Sequence, residues 1–225
     1  MTEPADGTGT IAGCVPLGEV LARLGRTRPV FHSEADFQHG FARALWEVAP
    51  EIRVRLEVPR RDSGKTEHLD LLALGPEGRT AVEFKYFTRP WAGVAGEPPE
   101  DYVLKAHAAT DLARLGFVRD IARLERFCRR PEENGLALML TNEPLLWTPP
   151  ESARRTRDSD FRIHHGRRLT GTLLWAEGAY KAHTRVLRDG YPLRWQPYSE
   201  LGGKGGVLRC LAVFVRPGPD AEEAP

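Results

Sequence analysis

Residues Glu67–Phe87, EHLDLLALGPEGRTAVEFKYF, decide the fold. Two apolar runs, His68–Leu74 and Thr80–Phe87, flank the turn residues Gly75-Pro76-Glu77-Gly78 and read as a β-hairpin. Side chains alternate along a strand, so Glu83 and Lys85 share one face while Val82, Phe84 and Tyr86 share the other. Asp70 shares a face with Leu72 and Leu74, and pairing across the turn brings it near Glu83. Adjacent carboxylates repel and are costly to desolvate. A solvent-facing edge hairpin is the ordinary explanation for such charges, but the flanking Leu71–Leu74 and Ala81-Val82 point to a buried one. A hard divalent cation with carboxylate ligands removes the repulsion. It also holds a phosphate oxygen and acidifies a bound water, while a neighbouring Lys adds positive charge for the attacking water and the developing phosphorane. Asp70, Glu83 and Lys85 together suit phosphodiester hydrolysis.

Working outward, IRVRLEV within Glu51–Val58 alternates as a strand and Pro59–Lys65 reads as a polar turn. Short turns between the first three strands predict an antiparallel meander. Upstream, Ser33 is a good N-cap for a helix running to Val48 and stopping at Pro50. A short helical pattern covers Pro16–Leu24. Downstream come a Pro/Gly-rich loop, Arg89–Glu100, the longest helix, about Tyr102–Arg129, and a buried strand, Leu136–Thr141, able to return parallel to its neighbour. Pro149–Arg168 is charged and irregular. Leu173–Trp175, Tyr191–Tyr198 and Val207–Val215 read as further strands, with Gly202–Gly206 a loop before the last. The expectation is a mixed α/β chain: a flexible tail over 1–15, one domain over 16–217 with its core at about 31–142 and a C-terminal extension over 143–217, and an acidic tail over 218–225.

Composition sets the bounds. The chain has 225 residues, 41% of them hydrophobic, enough for a real core and unlike a disordered segment. A net charge of +1 argues neither for nor against a nucleic-acid partner, so local clusters decide. Lysines are few and arginines many, as a G+C-rich genome alone would produce. Cys14, Cys128 and Cys210 lack metal-ligand spacing and read as reduced thiols. The polar opening MTEPADGTGT carries no leader pattern and no apolar run is long enough to span a bilayer, so a cytoplasmic protein without membrane contact is expected.

Asp70, followed across a hairpin by Glu83-Phe84-Lys85, resembles the signature of the PD-(D/E)XK nucleases, which share the restriction-endonuclease-like fold. That α/β core of helix, three-strand antiparallel meander, long helix and strand has the element order read above, here with additional C-terminal β elements. The resemblance covers roughly Phe31–Asn142. The family's opening Pro is absent, since His68-Leu69 precede Asp70. The resemblance implies a metal-dependent endonuclease or nuclease using Mg²⁺, with Mn²⁺ as a substitute. It implies DNA as the default substrate, with RNA and a homodimer also open, and a role in restriction, phage defence or repair. Asp70, Glu83 and the Phe84 carbonyl would hold the metal, and Lys85 would position and help deprotonate the attacking water. A non-catalytic nucleic-acid-binding or scaffold protein on the same fold is the alternative.

Members of this family often carry a Glu on the first helix, and Glu34 is the candidate metal ligand here. Glu34, Gln38, Phe41, Leu45 and Val48 form one helical stripe, which points Glu34 and Gln38 towards the sheet. Complementing the helix dipole is the simpler role for an acid at that place. On the long helix, Asp111 sits in an apolar stripe, within reach of His107 and Arg114. Gln38, Lys105, His107, Asp111 and Arg114 stand behind the metal ligands or against DNA; for His107, Asp111 and Arg114 a satisfied structural cluster is the other reading. Candidate phosphate contacts are Arg60, Arg61 and Lys65 in the first strand turn. The irregular stretch adds Arg154, Arg155, Arg157, Arg167 and Arg168, with Arg162, His164 and His165 among them. Asp158 and Asp160 there also allow a solvated loop. Trp147, Trp175 and Trp195 are either stacking platforms for bases or core residues.

Overall fold

Alternate side chains of two central strands enter opposite cores, and this alternation sets the layering. The computed structural model describes residues 9–62, 65–152 and 154–218, and describes no side chain over 61–65. Met1–Thr8 and the residues after Gly218 lie outside the described residues, and with them most of both expected tails. In chain order the elements are β1 (Thr10–Ile11), β2 (Val15–Pro16), α1 (Leu17–Thr27), α2 (Glu34–Val48), β3 (Arg53–Asp62), β4 (Lys65–Leu74), β5 (Arg79–Phe87), β6 (Trp91–Ala95) and β7 (Glu100–Leu104). Then follow α3 (Thr110–Phe127), β8 (Glu133–Thr141), α4 (Pro144–Trp147), β9 (Arg168–Leu173), β10 (Arg185–Pro192), β11 (Trp195–Glu200) and β12 (Val207–Val215).

The chain is mixed α/β. Among the described residues its main sheet has six strands in the order β11-β12-β8-β5-β4-β3. Strands β3, β4 and β5 form an antiparallel meander, and β8 returns parallel to β5 from Arg79↔Glu133 to Phe87↔Thr141. Val82, Phe84 and Tyr86 of β5 pack with α1 and α2, where Phe37 and Phe41 each set a ring edge-on to Phe84 at 5.2 Å. Ala81 of β5 with Ala137 and Met139 of β8 face α3 and the β9–β10 hairpin. Gly135 permits the close approach of α3: a Cβ there would stand 2.8 Å from Leu124 Cβ. Helix α2 starts as expected, with Ser33 Oγ accepting from Asp36 N at 3.2 Å.

Several sequence expectations shift. Residues 10–16 form a small hairpin where a tail was expected, because Ile11 and Val15 are buried and Ala12 N donates to Thr80 Oγ1 at 2.7 Å. Of the expected polar turn, Pro59–Asp62 continue β3 and Lys65 opens β4, while Ser63 and Gly64 lie outside the described residues; Pro59 is tolerated because β3 is an edge strand. Strand β6 lies inside the expected loop, and its partner β7 occupies the expected first turn of the long helix. KAHAAT reads as helical, but strand pairing and the left-handed Ala109 (φ 68°) delay α3 to Thr110. The expected strand at Leu173–Trp175 lies earlier, as β9, and the one at Tyr191–Tyr198 is split between β10 and β11. Strand β12 belongs to the main sheet, so the C-terminal extension completes the core. The three cysteines are free thiols. Among the described residues no helix is long and apolar enough to cross a membrane.

The buried Tyr86 hydroxyl ties β5 to the start of α2, donating to Phe31 O at 2.8 Å and accepting from Phe31 N at 3.3 Å. Tyr86→Phe strands both backbone groups, so urea denaturation is expected to show a loss of about 1–3 kcal/mol. An unchanged midpoint would mean that water replaces the hydroxyl.

Candidate functional site

The candidate site forms where the sheet opens. The β4–β5 ladder runs from Leu74↔Arg79 to Leu71↔Val82, and beyond Val82 β5 remains paired with β8 alone. The β5 amides on the β4 side therefore need other acceptors. Two acids supply them: Phe84 N donates to Asp70 Oδ2 at 2.7 Å, and Tyr86 N donates to Glu34 Oε2 at 2.8 Å. Each carboxylate uses one oxygen this way and carries a second. The Phe84 carbonyl accepts from Lys85 Nζ at 3.0 Å.

Glu83 and Lys85 project from β5 towards α3, which passes directly above: a Cβ on Gly116 would lie 3.5 Å from Lys85 Cε. Lys85 Nζ pairs with Asp120 Oδ2 at 2.8 Å. Arg123 Nη2 bonds Glu83 Oε2 and also Asp120 Oδ1, the latter at 3.1 Å. Glu83 is 1% exposed, and its Oε1 has no hydrogen-bond partner among the described residues.

Burial pushes the Glu83 carboxyl up to about 9, with the neighbouring Asp70 and Asp120 adding to it and Arg123 and Lys85 offsetting only part. Burial also raises Glu34 and Asp120, against the pull of Lys85 on each. For Lys85 burial acts downwards, but Asp120, Glu34 and Asp70 outweigh it and hold the ammonium form. A neutral Glu83 carboxyl still accepts from Arg123 through its carbonyl oxygen, so that contact is compatible with a retained proton.

The donors are all hard oxygens, as a divalent ion such as Mg²⁺ prefers, and Glu83 Oε1, without a hydrogen-bond partner among the described residues, could serve such an ion once the carboxyl is deprotonated. Among the described residues no three His, Cys, Asp or Glu side chains converge as a metal would hold them. Arg123 draws Glu83 and Asp120 to itself. The residues fit such an ion in donor chemistry, with Arg123 occupying oxygens the ion would take. A cleft of about 260 Å³ opens on the Glu34 and Lys85 side of the cluster, lined also by His107, Leu112 and Met139 among others; Asp70, Glu83, Asp120 and Arg123 do not line it.

The remaining candidates divide. Gln38 is half-buried one turn beyond Glu34. Lys105 and His107 lie in the loop before α3, not on a helix. His107 Nδ1 accepts from Thr88 N at 2.9 Å at the cleft wall, while Lys105 is exposed. Asp111 and Arg114 turn away: Asp111 takes Arg157 Nε at 2.6 Å, and Arg114 bonds Asp158 and the Leu145 carbonyl. They fasten α3 to the C-terminal extension, and the expected His107–Asp111–Arg114 cluster does not form.

Arg60 lies over the Phe127 ring at 4.4 Å; the side chains of Arg61 and Lys65 lie outside the described residues. Arg155 pairs with Asp160 and Glu177, and Arg167 donates to the Asp160 carbonyl. Arg154 and Arg168 are exposed. Trp175 and Trp195 are core residues and unavailable for stacking on bases, while Trp147 is half-buried against Trp195. Asp120 and Arg123 escaped the sequence reading. Their signal was an acid, Asp120, flanked by the core residues Phe117, Val118 and Ile121, with an Arg three residues later on the same face.

No protein-family model, curated protein or solved structure matches the chain.

Proposed function

We propose that the chain is a Mg²⁺-dependent nuclease of restriction-endonuclease-like architecture, akin to the PD-(D/E)XK enzymes, acting on DNA. The observation that carries this reading is the gathering of Glu34, Asp70, Glu83 and Lys85 where β4 and β5 part, beside an open cleft. Glu83, Asp70, Glu34 and the Phe84 carbonyl would hold the ion. When bound, it would supply Lewis-acid polarisation of a phosphate oxygen and an acidified water. Lys85, kept charged by its acidic neighbours, serves as a fixed positive charge facing the charge that develops on phosphorus, rather than as a proton acceptor. Mn²⁺ replaces Mg²⁺ in this reading because both accept oxygen ligands.

The test is incubation of purified protein with circular, linear and branched DNA, in EDTA and with Mg²⁺ or Mn²⁺. Metal-dependent strand scission supports the reading; intact substrates under all conditions reject catalysis. One observation favours the alternative, a non-catalytic nucleic-acid-binding or scaffold protein: Glu34 and Asp70 already satisfy strand amides, and Arg123 already answers Glu83. DNA binding without scission would select it.

The irregular segment offers fewer free charges than its arginine count suggests. Arg157 is engaged by Asp111 and Arg155 by Asp160 and Glu177, so reversing either disturbs internal pairs. Arg154→Glu is the cleaner probe. It is expected to weaken DNA binding and reduce the salt slope by about 1. An unchanged slope in fluorescence anisotropy would show that Arg154 faces solvent alone.

A further inference from the structure

Arg123 has no role in the metal-ligand set read from the sequence, yet it holds the centre of the site. One nitrogen, Nη2, bonds carboxylate oxygens from two elements, Glu83 on β5 and Asp120 on α3. A guanidinium meeting one carboxylate commonly offers two parallel bonds. Here a single nitrogen is shared between two acids, and the buried Glu83 Oε1 stays unsatisfied. A small cation between the same carboxylates would also take one oxygen from each. Asp120 does not depend on Arg123 for its place, since its other oxygen is held by Lys85 Nζ at 2.8 Å.

We infer that Arg123 fills the cation position of this site from within the chain, that Asp120 is a ligand of the divalent ion beside Glu83, and that the ion binds only as Arg123 withdraws. This rests on the metal-binding reading given above. Without Arg123 the buried Glu83 would face Asp120 with Lys85 as their shared counter-charge, so the resident guanidinium helps hold the metal-free site together. The same contact competes with the ion. Space for withdrawal lies in an adjoining cavity of about 80 Å³ that Arg123 lines with Arg60, Glu67, Arg126, Phe127 and Arg129; Glu67 there already pairs with Arg126 at 2.8 Å, so a withdrawn guanidinium would share that carboxylate.

The test is calorimetric titration of Mn²⁺ into the metal-free full-length protein and its variants, paired with melting curves in EDTA. Arg123→Leu is expected to melt lower in EDTA yet bind Mn²⁺ about tenfold more tightly. Arg123→Gln, which keeps a neutral donor, should move the same way by less, and it carries the test if the Leu variant does not fold. Asp120→Asn is expected to weaken Mn²⁺ binding about tenfold. If the wild type binds Mn²⁺ and the folded Arg123 variants bind it equally or more weakly, the inference is overturned while the metal-binding reading stands. Unchanged affinity in Asp120→Asn removes Asp120 from the ligand set. If no form of the protein binds Mn²⁺, the metal-binding reading itself fails and the inference falls with it.

Discussion

Lys85→Ala is expected to lower the single-turnover rate of DNA cleavage by about 10²–10³-fold, the range for losing a preorganised electrostatic group facing the developing charge. That range corresponds to about 3–4 kcal/mol of barrier. The ammonium is fixed from three sides: Asp120 at 2.8 Å, the Phe84 carbonyl at 3.0 Å, and α3 passing over its stem at Gly116. A charge held this firmly needs no reorganisation when negative charge develops beside it. Truncation leaves Asp120 with Arg123 as its counter-charge, so the variant is expected to fold, and a melting curve establishes that before any rate is compared. Asp70→Asn should lose a similar factor. An amide oxygen still accepts from Phe84 N, so the strand opening persists while the charge is gone. Near wild-type cleavage by either folded variant would remove that residue from the active site.

The hairpin and its charged face were legible because period-two alternation leaves few choices: once Val82, Phe84 and Tyr86 are core, Glu83 and Lys85 must face the other way. Pairing beyond Val82 was not legible. Nothing in Asp70 or Glu34 as letters says that their carboxylates replace a missing strand partner; that follows from where β4 and β5 part. The start of α3 was misplaced because helix propensity is local, whereas β7 pairs with β6 through contacts that propensity does not encode. A helix begun at Tyr102 would set His107, Asp111 and Arg114 on one face, whereas His107 lies in the loop before α3. The polar face that meets the site lies two turns further on, at Asp120 and Arg123. The clustered arginines of the C-terminal extension misled in a similar way, since sequence density does not distinguish a phosphate contact from an internal ion pair such as Arg157 with Asp111.

Glu83→Gln is expected to stabilise the metal-free protein increasingly as pH rises, and to remove most of the response to Mg²⁺. In the folded chain burial and the nearby Asp70 and Asp120 push the Glu83 carboxyl up to about 9, against an ordinary value of 4.5. Between those values the folded protein keeps a proton that the unfolded chain has released. The sign follows: this group's contribution is most favourable below about pH 4.5 and declines as pH rises towards 9. Gln imitates the protonated form and has no such decline. The variant should match the wild type near pH 4.5 and exceed it by on the order of 2 kcal/mol at pH 8 in EDTA. Magnesium acts oppositely on the wild type. An ion that binds the folded site and not the open chain adds about 2.7 kcal/mol at 100 times its dissociation constant. Gln lacks the charge that holds the ion, so its melting temperature should barely move. Calorimetry at two pH values, with EDTA or excess Mg²⁺, reads both effects. Equal Mg²⁺-dependent shifts in the two proteins would show that Glu83 is not a ligand. Equal stability at pH 8 in EDTA would show that Arg123 neutralises Glu83 more fully than its burial opposes the charge.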